Sequence, residues 1–251
     1  MKGIILAGGC GTRLNPLTLT VTKHLLPVYN KPMIYYPMKT LADAGIKDVM
    51  VVVGHEASWQ IVGYLKDGFE FRLNSLYYAY QKEPLGIANA LSLTEKFVNG
   101  DRMTVILGDN LFNYNFKKDI DDFSSVLIKG IEGDTFYNAG AKVFLKKIDD
   151  PKRFGVAEIK DNKLIGIEEK PKEPKSNYAV TGCYLYDSSV FEIIKGLKKS
   201  DRGEFEISDV NQCYIENGLM DYKIIKGNWG DMGNFDTLLR AGQMTKEKWV
   251  D

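Results

Sequence analysis

The chain has 251 residues, 44% of them hydrophobic and 26% charged, the composition of a globular protein with a sizeable core. Basic and acidic residues both number 33, so the net charge is zero, which argues against a general nucleic-acid or membrane-surface binder but leaves room for a few cations around a small anion. No run reaches about eighteen apolar residues, and the N-terminus reads as a core strand and not a signal peptide. Cys10, Cys183 and Cys213 lack metal or redox spacing, and His24 and His55 are too few for a histidine metal site, so the expectation is reduced thiols in a cytoplasmic protein.

In chain order, Gly3–Ala7 is a short apolar run of the kind a buried parallel strand shows. A helix is predicted over 32–44, with Pro32 in its first turn and Gly45 beyond its end. Asp48–Val53 reads as a strand, 56–66 as a helix, Ser75–Tyr80 as a strand, Gly86–Phe97 as a helix and Met103–Leu107 as a strand. This alternation predicts a doubly wound α/β fold, a mostly parallel Rossmann-like sheet flanked by helices. Ligands on such sheets bind beyond the strands' carboxyl ends, where the first glycine loop, Gln81 and Asp109 all fall.

After about residue 130 strands dominate: Lys142–Leu145, Gly155–Ile159, Lys163–Ile167 and Tyr178–Tyr186, the middle two joined across Asp161-Asn162. Helices are expected to begin at Ser188, at Ser208 and near Asn234. No repeat or linker is visible, so one continuous domain is expected: an α/β half to about residue 130, then a smaller, β-rich half.

The chemistry centres on Leu6-Ala7-Gly8-Gly9-Cys10-Gly11-Thr12-Arg13-Leu14, followed by Lys23. Glycines let backbone N–H groups approach a ligand, and Arg13 offers a five-donor fork for phosphate oxygens. No Gly-Lys-Ser/Thr follows, so this is not a Walker loop, and Leu14 stands where the dinucleotide fingerprint needs glycine. These residues alone read as a polyphosphate cradle or as a structural turn.

With Lys23-His24-Leu25-Leu26-Pro27 and Lys31-Pro32-Met33-Ile34-Tyr35-Tyr36-Pro37, the glycine segment resembles the signature of sugar-1-phosphate nucleotidyltransferases. The resemblance is greatest to the thymidylyl-transferring members. It implies transfer of a thymidylyl group from dTTP to α-D-glucose 1-phosphate, assisted by Mg2+, with dTDP-glucose and pyrophosphate as products. It assigns Arg13, Lys23 and Lys170 to catalysis, and the nucleotide to Leu6, Gly8, Gly9, Gly11, Thr12, Arg13, Lys23, Gln81, Pro84, Gly86 and Asp109. Asn110, Gly140, Glu169, Lys170, Val180, Thr181 and Trp229 are expected around the sugar, and Asp109 and Asp231 on the metal. The Gln81 amide, with donor and acceptor, suits a pyrimidine edge, which thymine and uracil share. Attack by the sugar phosphate needs no general base, since a phosphate monoester is mostly dianionic at neutral pH. Two alternatives stand beside this: a UTP-using or broad-specificity enzyme, and a catalytically inactive nucleotide-sugar-binding subunit. The chain ends at Asp251, short of further C-terminal helices that longer members carry and that are associated with a regulatory nucleotide site and subunit packing. A homo-oligomer remains the expectation by resemblance.

Overall fold

The computed structural model describes residues 1–54, 58–125, 127–129, 136–138 and 140–248. The first half runs β1 (Lys2–Ala7), a hairpin of β2 (Pro27–Val28) and β3 (Lys31–Pro32), α1 (Tyr35–Asp43), β4 (Asp48–Gly54) and α2 (Trp59–Leu65). It continues with β5 (Ser75–Gln81), α3 (Ile87–Ser92), α4 (Glu95–Val98) and β6 (Met103–Leu107). Next come β7 (Asn110–Asn113), α5 (Lys117–Ser125) and a hairpin of β8 (Leu127–Lys129) with β9 (Phe136–Asn138). Then follow β10 (Ala141–Lys147), β11 (Gly155–Lys160), β12 (Lys163–Glu169), β13 (Tyr178–Tyr186) and α6 (Val190–Gly196). The described chain closes with α7 (Ile207–Glu216), β14 (Met220–Ile224), β15 (Asn228–Asp231) and α8 (Phe235–Lys248).

Among the described residues, nine strands form the main sheet. Its nucleotide-side half is the parallel order β5-β4-β1-β6. β13 joins β6 antiparallel, and β10, β11 and β12 continue antiparallel from there, with β14 parallel to β10. The doubly wound α/β expectation holds, and the second half is β-rich as expected. Alternate residues of β1 show why the sheet is covered on both faces. Ile4 and Leu6 enter one core with Ala88, Leu91 and Val210, while Ile5 and Ala7 enter another with Met38, Leu41 and Ile61. Burying each large aliphatic side chain contributes roughly 1.5–3 kcal/mol, so two such cores hold the strand ends rigidly.

Several boundaries differ from the sequence reading for local reasons. The helix expected over 32–44 begins at Tyr35, because Lys31–Pro32 pairs with Pro27–Val28. Pro37 is then its third residue, where an N–H has no intrahelical partner to lose. The helix expected over 86–97 is two: the backbone turns at Leu93-Thr94, where the buried Thr94 hydroxyl donates to the Leu91 carbonyl oxygen at 2.8 Å. The expected start of the 56–66 helix lies partly outside the described residues, which show it over Trp59–Leu65. Ser188 caps nothing; instead Asp187 Oδ1 accepts from Ser189 N at 3.0 Å just before α6. Ser208 lies inside α7 with its hydroxyl buried and unpartnered, and Glu206 stands at the cap position. Asn234 does cap α8, its Oδ1 accepting from Thr237 N at 2.9 Å. Asp161 and Asn162 join β11 to β12 with φ of 49° and 60°, the left-handed pair a two-residue hairpin turn requires. No helix among the described residues is long and apolar enough to cross a membrane.

Candidate active site

Because β5, β4, β1 and β6 are parallel, their carboxyl ends open to one side, and the loops after β1, β5 and β6 converge there. They enclose a cavity of about 290 Å³ lined by Leu6, Gly8, Gly9, Arg13, Lys23, Gln81, Pro84, Gly86 and Asp109, with His24, Ile87, Ala90, Leu107 and Glu204 completing it. Gly11 has φ +69° and a Cβ there would lie 2.8 Å from Lys23 Cβ, so only glycine lets the loop fold over that lysine. The loop thus delivers Lys23 Nζ to Asp109 Oδ2 at 2.5 Å, with side chains 12% and 14% exposed. Burial alone would raise the Asp109 pKa, but the Lys23 ammonium outweighs it and holds the carboxyl at about 2. His24 is buried beside the pair, and burial together with the Lys23 charge lowers its pKa to about 3, leaving a neutral ring at pH 7. Its Nδ1 lies 3.3 Å from Thr22 Oγ1. The buried Gln81 side chain donates through Nε2 to Gly86 O at 3.3 Å and Asn89 Oδ1 at 3.0 Å. Its Oε1 packs against Gly8, where an added Cβ would stand only 2.4 Å from it.

A second cavity, of about 240 Å³, adjoins the first and shares Arg13, Ile87, Leu107 and Asp109 with it. Asn110, Glu169, Lys170, Val180, Trp229 and Asp231 line it, with Arg153, Phe154, Gly155, Gly182, Tyr184 and Ile207. Lys170 is held in the left-handed region at φ 46°, its N–H donating to Phe154 O at 3.0 Å, an unfavourable backbone state fixed by its surroundings. Its ammonium lies 3.1 Å from Glu169 Oε1 and its side chain is 43% exposed, so it is anchored yet reachable.

Asp231 reaches the junction through strand pairing. β15 runs antiparallel to β7 with Asp231 opposite Asn110, and Met232 N donates to Asp109 O at 2.8 Å. The two carboxylates therefore face one site. Burial, then the Asp109 charge, raises the Asp231 pKa to about 6 against the pull of Lys23, Arg13 and Arg153. Two anionic oxygens crowded this way suit a divalent cation. Among the described residues no group of three or more His, Cys, Asp or Glu side chains could hold a metal. The protein here offers two carboxylates, which fits an ion that takes its other ligands from phosphate and water, as Mg2+ does.

Some expected residues lie elsewhere. Gly140 lines neither cavity: a Cβ on it would meet the Tyr214 ring at 2.6 Å, and its carbonyl accepts from Asp187 N. Gly155 stands in the sugar-side wall instead. Thr181 is fully buried with its hydroxyl unpartnered, while its neighbours Val180 and Gly182 line the cavity. Gly11 and Thr12 shape the loop without lining either cavity. Sequence reasoning missed Arg153, Phe154, Tyr184 and Glu204. Arg153 lies 3.6 Å from Asp231, over the Phe154 ring, and no local pattern marked it among the charged residues just ahead of β11. Glu204 comes in because the Phe205 backbone pairs with Leu85 and Ala88, which no local pattern announces.

Curated relatives named glucose-1-phosphate thymidylyltransferase include one from Neisseria meningitidis serogroup A, 42% identical over 249 residues, or 98% of this chain and 83% of that protein. Another, from Mycolicibacterium smegmatis, is 42% identical over 250 residues, 98% of this chain and 82% of that protein. A Bacillus anthracis structure with a sucrose, provisionally named a glucose-1-phosphate thymidylyltransferase, superposes with a TM-score of 0.90 at 47% identity, covering 100% of this chain and 96% of its own. A UDP-glucose pyrophosphorylase complexed with UDP-glucose shares the fold, with a TM-score of 0.81 at 22% identity over 98% of each chain. The nucleotidyl transferase family model matches residues 2–248, and with these relatives it shows that the chain belongs to that family.

Proposed function

We propose that this chain transfers the thymidylyl group of dTTP to α-D-glucose 1-phosphate, forming dTDP-glucose and releasing pyrophosphate. The observation that carries the reading is the meeting of two cavities at Arg13 and Asp109: one framed by the glycine loop and Gln81, the other by Glu169 and Lys170. Two anionic substrates placed in them would meet beside the cations that can screen them. The names of the curated relatives support the choice of nucleotide and sugar.

The base sits at Gln81. With both Nε2 protons directed to Gly86 and Asn89, the amide keeps Oε1 for the N3–H of a pyrimidine. The triphosphate lies on the loop from Gly8 to Gly11, with Arg13 on the leaving pyrophosphate. Lys23 turns from Asp109 to phosphate oxygens at the reacting phosphorus. Lys170 holds the sugar phosphate, and one of its oxygens attacks the α-phosphorus in line as pyrophosphate departs. Catalysis is then positioning and charge stabilisation, without a general base. Asp109 and Asp231 would hold Mg2+, which when bound offsets phosphate charge and aligns its oxygens. Cytoplasmic location and a homo-oligomer complete the proposal, the latter checked by light scattering on the purified chain.

The test is pyrophosphate release with Mg2+ and glucose 1-phosphate, offering dTTP, UTP, CTP, ATP and GTP in parallel. The fastest release is expected with dTTP. Release fastest with another nucleotide would overturn the base assignment, and release with none would overturn the activity.

A further inference from the structure

Asn110 follows Asp109 directly, opens β7 and is 3% exposed. Its Oδ1 accepts from the Trp229 indole Nε1 at 2.6 Å and from Gly182 N at 3.1 Å, while its Nδ2 donates to Asp109 Oδ1 at 3.0 Å. The amide orientation follows from the partners, since a reversed group would set its NH2 against two donors and its oxygen against a carboxylate. Both lone pairs of the oxygen are in use, and one N–H remains. A sugar contact through Asn110 has only that one donor to draw on.

The surroundings are built for this close fit. A Cβ on Gly182 would lie 2.6 Å from Asn110 Cγ, so glycine on β13 is what lets the amide reach that backbone. Trp229 lies opposite Phe112 on the paired strand, and its ring packs edge-on to Phe154 at 4.9 Å. On the other side, the second Asp109 oxygen accepts from Lys23 Nζ at 2.5 Å. A continuous hydrogen-bonded chain therefore runs Trp229, Asn110, Asp109, Lys23, from the wall of the sugar-side cavity to the loop of the nucleotide-side one.

We propose that Asn110 is a positioning residue: it orients the Asp109 carboxylate for a divalent cation and seats the Trp229 indole on the sugar-side wall, so that the two are set together. The inference rests on the metal role given to Asp109 above. A carboxylate with one oxygen tied to Lys23 keeps a fixed orientation only if the second is also held, and the amide N–H holds it. Partners of this kind typically change metal affinity or activity about 10–100-fold when removed.

The test is Mn2+ binding to the purified full chain without substrates, followed by electron paramagnetic resonance, with steady-state kinetics alongside. Asn110→Ala should weaken Mn2+ binding by about tenfold or more. It should lower kcat by a larger factor than it raises the KM for glucose 1-phosphate. Trp229→Phe, which removes the indole N–H donor while keeping an aromatic ring at the position, should weaken Mn2+ binding in the same direction, and it decides the matter if the Asn110 variant does not fold. Unchanged Mn2+ affinity in the folded variants, with a raised KM for the sugar phosphate, would overturn the inference and make Asn110 a sugar contact. Wild-type protein that binds no Mn2+ even when dTTP is added would remove the metal assignment and this inference with it.

Discussion

Lys23→Met is the perturbation whose consequence follows most directly from the structure. The Lys23 ammonium lies 2.5 Å from Asp109 Oδ2 and both side chains are nearly buried. Removing it leaves the Asp109 carboxylate uncompensated, with Asp231 as a second anion nearby and a neutral His24 that supplies no replacement charge. Breaking a buried pair from one side typically costs about 3–5 kcal/mol. At ~2–4 °C per kcal/mol for a chain of this size, the metal-free protein should melt roughly 6–20 °C lower. Lys23→Met with Asp109→Asn leaves no orphaned charge and should recover much of the loss, because the penalty lies in the isolated ion and not in the missing attraction. Divalent cation should also stabilise the single variant more than the wild type, by standing in for the ammonium. The assay is calorimetry at pH 7.5 on the wild type, both single variants and the double variant, with chelator and with Mg2+. A single variant within about 1 kcal/mol of wild type, the range of exposed pairs, or a double variant no better than the single, would refute this reading of the pair.

The other expectations concern pH and the division of labour between cations. Asp231 has its folded-state pKa raised to about 6, so its protonated form favours the fold below the unfolded carboxylate value and that stability is lost as pH rises through about 6. Metal-free protein should accordingly melt progressively lower between about pH 4 and 6, and Mg2+ or Asp231→Asn should flatten the slope; a flat wild-type profile would contradict it. Asp109 has the opposite sign: its pair with Lys23 is fully present above the ordinary carboxylate pKa and is lost as pH falls through about 2, so it contributes nothing to that slope. Lys170→Ala should raise the KM for glucose 1-phosphate most, whereas Arg13→Ala should lower kcat more than it changes that KM. Steady-state kinetics with each substrate varied would show it, and equal small losses in both variants would contradict the assignment.

The nucleotide side was the more legible half. Apolar runs such as Gly3–Ala7 and Met103–Leu107 mark strands buried on both faces, and parallel strands bring the residues that follow them to one edge. The glycine loop, Gln81 and Asp109 could therefore be grouped from the sequence alone. β13 shows where the same property hides information. All its residues after Tyr178 are buried, so no alternation tells which face each side chain takes. Val180, Gly182 and Tyr184 turn to the cavity, whereas Thr181 turns away. Gly140 was expected on the sugar side by resemblance alone; the fold instead backs it onto Tyr214, and Gly155, at the start of β11, stands in that wall. Ser208 carries the chemistry of a cap, but the helix starts one residue earlier and tertiary packing buries its hydroxyl. The approach of Asp231 to Asp109 depends on β15 finding β7 across more than a hundred residues, a pairing with no local signature.

The most direct measurement is the fate of dTTP labelled at the α-phosphorus, incubated with Mg2+ and glucose 1-phosphate. Label in dTDP-glucose, with unlabelled pyrophosphate formed in equal amount, is the result expected of attack by the sugar phosphate on the α-phosphorus. Label remaining in dTTP, or appearing in a nucleotide that carries no sugar, would contradict thymidylyl transfer to the sugar phosphate.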